Sequence, residues 1–371
     1  FSMSKAAELA ALIANVNKGS SLANKNFIIN GNMSVAQRGT SETGMGASAG
    51  YFTVDRWKMD FNVTAGRLTM SQASDGPSGF ANSIKLDCTT ADTSIAAGEY
   101  IMLEQRIEGQ NLQSICKGTA DAKPLTVSFW CKANAAFTFA LELADNDNSR
   151  QISKLFTTTT GWTRHTLTFP ADTTGTLDDD NARSILATFW LHSGSNYAGG
   201  TLNSSAWASQ THANRAAGID SFFSSTDNEF YITGVQMEIG EKATEFEHES
   251  YEATLEKCQR YCEVHTLNSY THMGFSYTTA QFIIPYTWKV EKRAAPTFTF
   301  PTVGTSSGNL GVTTADGQFA STHGSVLRAT TQVHQGYVYN DSGDGYAGLT
   351  DDHIVLLYGY NAVSLTIDAE L

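Results

Sequence analysis

Short stretches in which apolar and polar residues alternate recur along most of the chain, set apart by turns rich in Gly, Asn and Ser. The clearest runs over residues 125–132. There Leu125, Val127, Phe129 and Cys131 share one face, and Thr126, Ser128, Trp130 and Lys132 share the other. A period of two predicts a β-strand with one face on a core. Similar runs predict strands at 67–72, 83–88, 100–107, 137–143, 150–157, 163–168 and 185–192, mostly at the spacing of a sandwich. Ahead of them, Phe27, Ile28 and Ile29 form an apolar run closed by the turn dipeptide Asn30-Gly31, with further pieces at 33–36 and 51–59. The alternation of Tyr231, Thr233, Val235 and Met237 makes a last strand, which in a jelly roll returns to Phe27–Ile29.

Two segments change period. After Ser4, a candidate N-cap, Ala6, Leu9, Leu12, Ile13 and Val16 fall on one helical stripe that ends at Asn17-Lys18-Gly19. About four turns of helix do not stand alone in water, so the stripe needs a partner. The expected partner is another copy of the chain or a larger assembly rather than the helix's own domain. Residues 251–264 predict a second helix, with Leu255, Cys258, Tyr261 and Cys262 on one side. Beyond it, strands are expected at 281–286, 297–300, 325–331, 335–339, 353–360 and 364–369. The expected fold is all-β: a jelly-roll β-sandwich with a short N-terminal helix, a connector helix and a second, smaller β-sandwich domain. The divisions fall at 1–20, 21–248, 249–268 and 269–371.

Composition agrees with that class. Aromatics make up 11% of 371 residues, with 31 Gly and only 16% charged residues, which suits strands joined by many turns. A net charge of −13 argues against nucleic acid and against docking on an anionic membrane. No run approaches the ~18 apolar residues of a membrane-spanning helix, and no secretory signal is recognisable, so the chain reads as one made and folded in a cytoplasm. Five cysteines, Cys88, Cys116, Cys131, Cys258 and Cys262, are too few and odd in number for a disulfide framework and read as thiols.

Candidate chemistry is sparse. Cys258, Cys262, His265 and His272 give Cys-x3-Cys-x2-His-x6-His, which matches no standard zinc spacing, and no metal site is assigned to it. Asp178-Asp179-Asp180, Asp145-Asn146-Asp147 and Asp351-Asp352 are oxygen-rich loops without EF-hand spacing. A Gly-x-Ser-x-Gly elbow, a His-Glu-x-x-His pair and a phosphate-binding Gly loop are all missing, so catalysis is not expected. Sugar binding by a β-sandwich uses exposed rings beside hydrogen-bonding side chains. Trp190, Tyr197 and Trp207 offer rings within polar segments, and Tyr337, Tyr339, Asp341, Asp344 and Tyr346 cluster near Gly336–Gly348. Large rings also cover cores and subunit interfaces, and the pattern favours that role for most of them.

Several motifs carry a family resemblance. Asn26-Phe-Ile-Ile-Asn-Gly31, Gln37-Arg-Gly-Thr40 and Phe52-x-x-Asp55-Arg56-Trp57 open the chain's β region. Val127-Ser-Phe-Trp130-x-Lys132 and Gly161-Trp162 recur inside it, and the 229–248 stretch closes it. Ser250-Tyr251, the 289–297 stretch and Asp368-Ala-Glu-Leu371 extend the pattern to the end. Together these resemble the jelly-roll, carbohydrate-binding-module-like domains of bacteriophage tail fibres and related virion proteins. The resemblance implies a non-enzymatic virion component, most like a tail fibre or receptor-binding protein that meets host surface polysaccharide. It implies a homotrimer on the particle surface, joined to other virion proteins through Leu9, Leu12, Ile13 and Val16, with its free end around Tyr337 to Tyr346. A capsid decoration or head-fibre protein is the alternative within the class, and a polysaccharide depolymerase the alternative outside it. The motif residues themselves read as packing and turn residues. Modules of this type often carry a structural calcium where first and last strands meet. Here the usual last-strand aspartate is replaced by Thr233-Gly234, so calcium stays open.

Overall fold

Alternation becomes architecture wherever two strands can share one buried face. A computed structural model describes residue 5 and residues 25–267, 272–278, 281–299, 310–314, 317–319, 328–331, 335–339, 354–359 and 363–371. The chain forms two compact units, Phe1–Tyr251 and Glu252–Leu371. The stripe Leu9, Leu12, Ile13 and Val16 lies outside the described residues, as do Asp341, Asp344, Tyr346, Asp351 and Asp352.

The first unit is a sandwich of two antiparallel sheets. One has six strands in the order β1 (Ser41–Met45), β4 (Arg67–Ala73), β5 (Ser83–Thr90), β13 (Glu229–Ile239), β7 (Leu125–Ala133), β10 (Thr163–Phe169). The other has seven: β12 (Ala208–Ser209), β9 (Arg150–Thr157), β8 (Thr138–Asp145), β11 (Arg183–Ser193), β6 (Tyr100–Glu108), β3 (Lys58–Asn62), β2 (Gly50–Tyr51). Between the sheets lie Trp57, Phe129, Phe139, Phe189, Phe222 and Phe230, all fully buried. Phe129 meets Phe156 and Phe189 edge-on, each at 5.0 Å. Each such side chain contributes about 1.5–3 kcal/mol by leaving water.

The sandwich closes where the first and last segments meet, as the jelly-roll reading expects. Phe27 N donates to Met237 O (2.9 Å), and Val235 N donates to Gly31 O (2.9 Å). The Asn26 side chain joins both, accepting from Met237 N and donating to Val235 O. Gly31 is required here: a β-carbon on it would stand 2.0 Å from Val235 O.

The opening motif is a structural knot. Asn30 sits in the left-handed region (φ 58°) and is buried. Its amide donates to Val35 O and Asp55 O, and its side-chain oxygen accepts from Val35 N. Asp55 accepts from Gln37 N at 2.9 Å, and the Trp57 indole donates to Asn30 O at 3.2 Å. These bonds hold 29–32 in a turn and leave 33–36 irregular, so the expected strands at 27–29 and 33–36 do not form. The expected strand at 51–59 is likewise broken, because Arg56 turns the chain at φ 71° and leaves β2 and β3 as short pieces.

The second unit holds a three-stranded sheet of β14 (Cys262–Leu267), β23 (Val363–Asp368) and β17 (Thr297–Thr299). Its seven-stranded sheet runs β19 (Gly317–Phe319), β18 (Leu310–Thr314), β22 (Ile354–Gly359), β15 (His272–Thr278), β16 (Gln281–Thr287), β21 (Gln335–Tyr339), β20 (Arg328–Thr331). The helix expected over 251–264 is shorter. A helix α2 covers Tyr251–Gln259, following a one-turn α1 at Ser195–Ala198 in the first unit. Residues from Cys262 onward pair instead with β23, from Cys262 opposite Asp368 to Leu267 opposite Val363. The helical stripe through Cys262 is therefore not a stripe. Strands β1, β12, β14, β15, β18 and β19 were not expected from the sequence pattern.

Candidate functional site

The two outward faces of the first unit are covered to different extents. On the seven-stranded sheet, strand alternation sends Trp190, Glu142, Met102 and Ala140 outward. The 194–219 segment then folds over them. Trp190 is fully buried, packed with Met102, Ala140 and Ala216. Its indole donates to Glu142 Oε2 at 2.8 Å. Trp190 is thus no sugar platform, against the sequence expectation. Trp207 is also buried, with its indole held by Pro170 O (2.9 Å) and the Lys117 ammonium over its ring. Tyr197 is half-buried, edge-on to Tyr100 at 5.1 Å. The sequence placed these rings beside polar loops but could not show that the loops close over them.

The outer face of the six-stranded sheet is covered where the 241–248 segment bonds Gln236 and Glu238, and stays half-exposed around Tyr231, Lys132 and Lys85. Trp162 precedes β10 and lies beside Lys132 on β7. Lys132 stands opposite Tyr231 on β13, and Tyr231 opposite Lys85 on β5. The result is a row in which rings and ammonium groups alternate across three strands and the residue that leads into β10. Lys132 Nζ lies 5.2 Å from the Trp162 ring centre and 4.6 Å from that of Tyr231, and Lys85 Nζ lies 5.6 Å from Tyr231. The rings of Trp162 and Tyr231 are 6.2 Å apart and nearly perpendicular.

Carboxylates fix both ends of the row. Asp75 pairs with Lys132 (2.6 Å) and accepts from the Trp162 indole (3.2 Å). Glu229 pairs with Lys85 (2.6 Å) and accepts from the Tyr231 hydroxyl (3.1 Å). The Lys132 hydrogen bond holds the Asp75 carboxyl below its ordinary value, and Lys85 does the same for Glu229. Burial alone would lower the Lys85 ammonium, but its bond to Glu229 and the surrounding negative charge push it up to about 12. Asp75, Glu229 and Lys85 therefore stay charged at neutral pH. Asp75 is 44% exposed, so its spare lone pairs face water. Half-buried rings give an apolar edge, carboxylates accept, and ammonium groups donate. Such a surface can hold a sugar ring. Sequence reading noted Trp130, Lys132 and Trp162 but missed Tyr231 as a site residue, together with Lys85, Glu229 and Asp75. Their cross-strand partners come from distant sequence.

Among the tip candidates, Tyr337 and Tyr339 lie on β21, paired with Pro285 and Ile283 of β16 and with Thr330 and Arg328 of β20, and Tyr337 is half-buried.

The metal candidates from sequence are engaged in other ways. Cys258 and Cys262 are buried thiols. His265 Nε2 meets the Glu263 carboxylate, and its Nδ1 meets the Tyr286 hydroxyl at 2.5 Å. Neither ring nitrogen remains for a metal. His272 stacks on Tyr286 at 3.9 Å. In the acidic loops, Asp145 pairs with Lys117, Asp147 accepts from Asp178 N, and Asp180 caps Ala182 N. Where first and last strands meet, the carboxylate oxygens are engaged by the protein's own donors. Glu238 accepts from Gln236, Thr244 N and the Thr244 hydroxyl, and Glu247 accepts from Lys25 N and Asn26 N. The Lys25 ammonium itself bonds Thr244 and Glu245 O there.

No family model matches the chain, and no curated protein matches it. Solved structures resemble parts of it at low identity. One described as "CBM4 structure and function" is 13% identical over 57% of this chain and 98% of its own, with TM-score 0.29. TmCBM61 in complex with β-1,4-galactotriose is 11% identical over 58% and 100%, with TM-score 0.31. The enzymatically active domain of bacteriophage CBA120 tailspike protein 4 is 12% identical over 58% of this chain and 21% of its own, with TM-score 0.31. The chain's own strands make it an all-β protein of stacked antiparallel sheets.

Proposed function

We propose that the chain binds glycan through the row Trp162, Lys132, Tyr231 and Lys85, and does so as a non-enzymatic component of a virus particle surface. The observation that carries the reading is the alternation of rings and paired charges on a half-exposed part of the sheet face. The phage-fibre motifs of the sequence support the virion setting, and the chain would act as the part that meets host surface polysaccharide. An exposed apolar strip in the second unit supports assembly into a homotrimer. Phe275 and Ile354 face each other across β15 and β22 and are 51% and 59% exposed, and Met273 two residues along is 62% exposed. Burying such a strip between copies removes it from water.

The test is calorimetric titration of the full chain with fragments of host surface polysaccharide, on wild type, Trp162→Ala and a Tyr339→Ala/Tyr346→Ala pair. Loss in Trp162→Ala alone supports the sheet site. Loss only in the tyrosine pair moves binding to the second unit, and release of reducing ends from the polysaccharide makes the protein a depolymerase.

A further inference from the structure

At one end of the sandwich three chemistry-bearing side chains converge in a buried spot that the glycan reading does not use. Asp92 and Glu99 come from the 91–99 loop between β5 and β6, and His192 comes from the end of β11. All three are buried, His192 completely. One ligand atom from each lies within 4.8 Å of the others, and His192 Nε2 stands 3.6 Å from Glu99 Oε2. Those two atoms have no hydrogen-bond partner. Buried polar atoms are nearly always satisfied, so two that face each other beside a second carboxylate need an account.

The surroundings orient the group. His192 Nδ1 meets Ser221 Oγ at 2.7 Å, a contact that leaves the Nε2 lone pair aimed at the carboxylates when Nδ1 carries the proton. Asp92 Oδ2 accepts from the Thr64 hydroxyl (3.0 Å) and Ala65 N (2.9 Å), and Oδ1 accepts from Ser94 N (3.3 Å). The loop is anchored by Asp92 N to Phe223 O and by Gly194 N to Glu99 O, each 2.8 Å. The Phe223 ring walls one side, 5.4 Å from the imidazole.

We propose that Asp92, Glu99 and His192 form a buried site for one divalent transition metal ion of the zinc class, which ties the 91–99 loop to the end of β11. An imidazole beside two carboxylates is a nitrogen-and-oxygen donor set that zinc accepts, whereas calcium and magnesium take oxygen ligands. A cation at the centre satisfies both unpartnered atoms at once. The competing account is a proton shared between Glu99 and Asp92.

The experiment uses the full chain, purified without chelator, then stripped with EDTA and titrated with Zn²⁺ and Co²⁺. The proposal expects about one zinc per chain by mass spectrometry, a visible Co²⁺ d–d absorption, and a melting temperature several degrees higher with zinc than after stripping. Glu99→Gln should lose the cobalt band and the zinc-induced shift while melting like the stripped wild type. Ser221→Ala should weaken zinc roughly 10- to 100-fold. Wild type that retains no zinc, shows no cobalt band and melts alike with zinc and EDTA overturns the proposal in favour of the shared proton. Metal binding that survives in Glu99→Gln and His192→Ala overturns it too, by placing the ion elsewhere.

Discussion

The guanidinium of Arg215 lies flat against the carboxylate of Glu142, with Nε at 2.9 Å from Oε1 and Nη2 at 2.8 Å from Oε2. Beneath it, 4.8 Å away, is the ring of Trp190, whose indole shares the same carboxylate. This pair pins the 194–219 segment to the seven-stranded sheet and makes Trp190 a core residue. Arg215→Ala leaves the buried Glu142 carboxylate without its cation, and urea unfolding should show a loss of roughly 3–5 kcal/mol. Replacing both partners with apolar residues, Glu142→Leu with Arg215→Met, should restore most of it.

Trp162 is half-buried, so its loss touches binding more than folding. Trp162→Ala should reduce glycan affinity about tenfold, equivalent to roughly 1.4 kcal/mol, with little change in melting temperature. Calorimetry and a thermal melt on the same sample check both halves.

Glu263 sets an acid limit for the second unit. Burial pushes its carboxyl up, but hydrogen bonds from His265 and Lys292 outweigh that and bring it down to about 2. Lys292 Nζ stands 2.6 Å away, and burial lowers its ammonium although Glu263 pulls the other way. The lysine acts on the alkaline side, so the carboxylate governs in acid. Because the folded value is depressed, the stabilisation is present above the ordinary value of 4.5 and is lost as pH falls from there towards 2. Wild type should lose stability over that window, and Glu263→Gln should be flatter across it in circular-dichroism melts.

Oligomerisation is tested at the apolar strip. Light scattering should give a mass well above 40.1 kDa for wild type. Phe275→Asp with Ile354→Asp should return a folded chain of that mass, because both side chains are more than half exposed and the strands need neither for their own core.

The apolar stripe of Leu9, Leu12, Ile13 and Val16 predicts attachment. Deleting residues 1–19 should leave thermal unfolding nearly unchanged and abolish incorporation into particles. A large fall in melting temperature would make this a fold-back helix.

The sequence alone determined what depends on near neighbours. Strand β9 was expected at its observed bounds, and β4, β5, β6, β7, β8, β10 and β11 within about two residues, because a period of two is written in adjacent side chains. The Asn30-Gly31 turn was legible for the same reason: its αL residue and tight approach are local demands. Tertiary structure decided what depends on partners far along the chain. Residues 262–267 are a strand because β23, about a hundred residues later, supplies the hydrogen bonds that a helix would otherwise make internally. Trp190 is core because Arg215 folds back over it. Tyr231 joins the ring row because lysines on β5 and β7, roughly a hundred residues or more before it, flank it in register. His192 meets Asp92 and Glu99 only when β11 and the β5–β6 loop reach the same end of the sandwich. Exposure and convergence are properties of long-range packing, and local alternation says which way a side chain points, not what will come to cover it or meet it there.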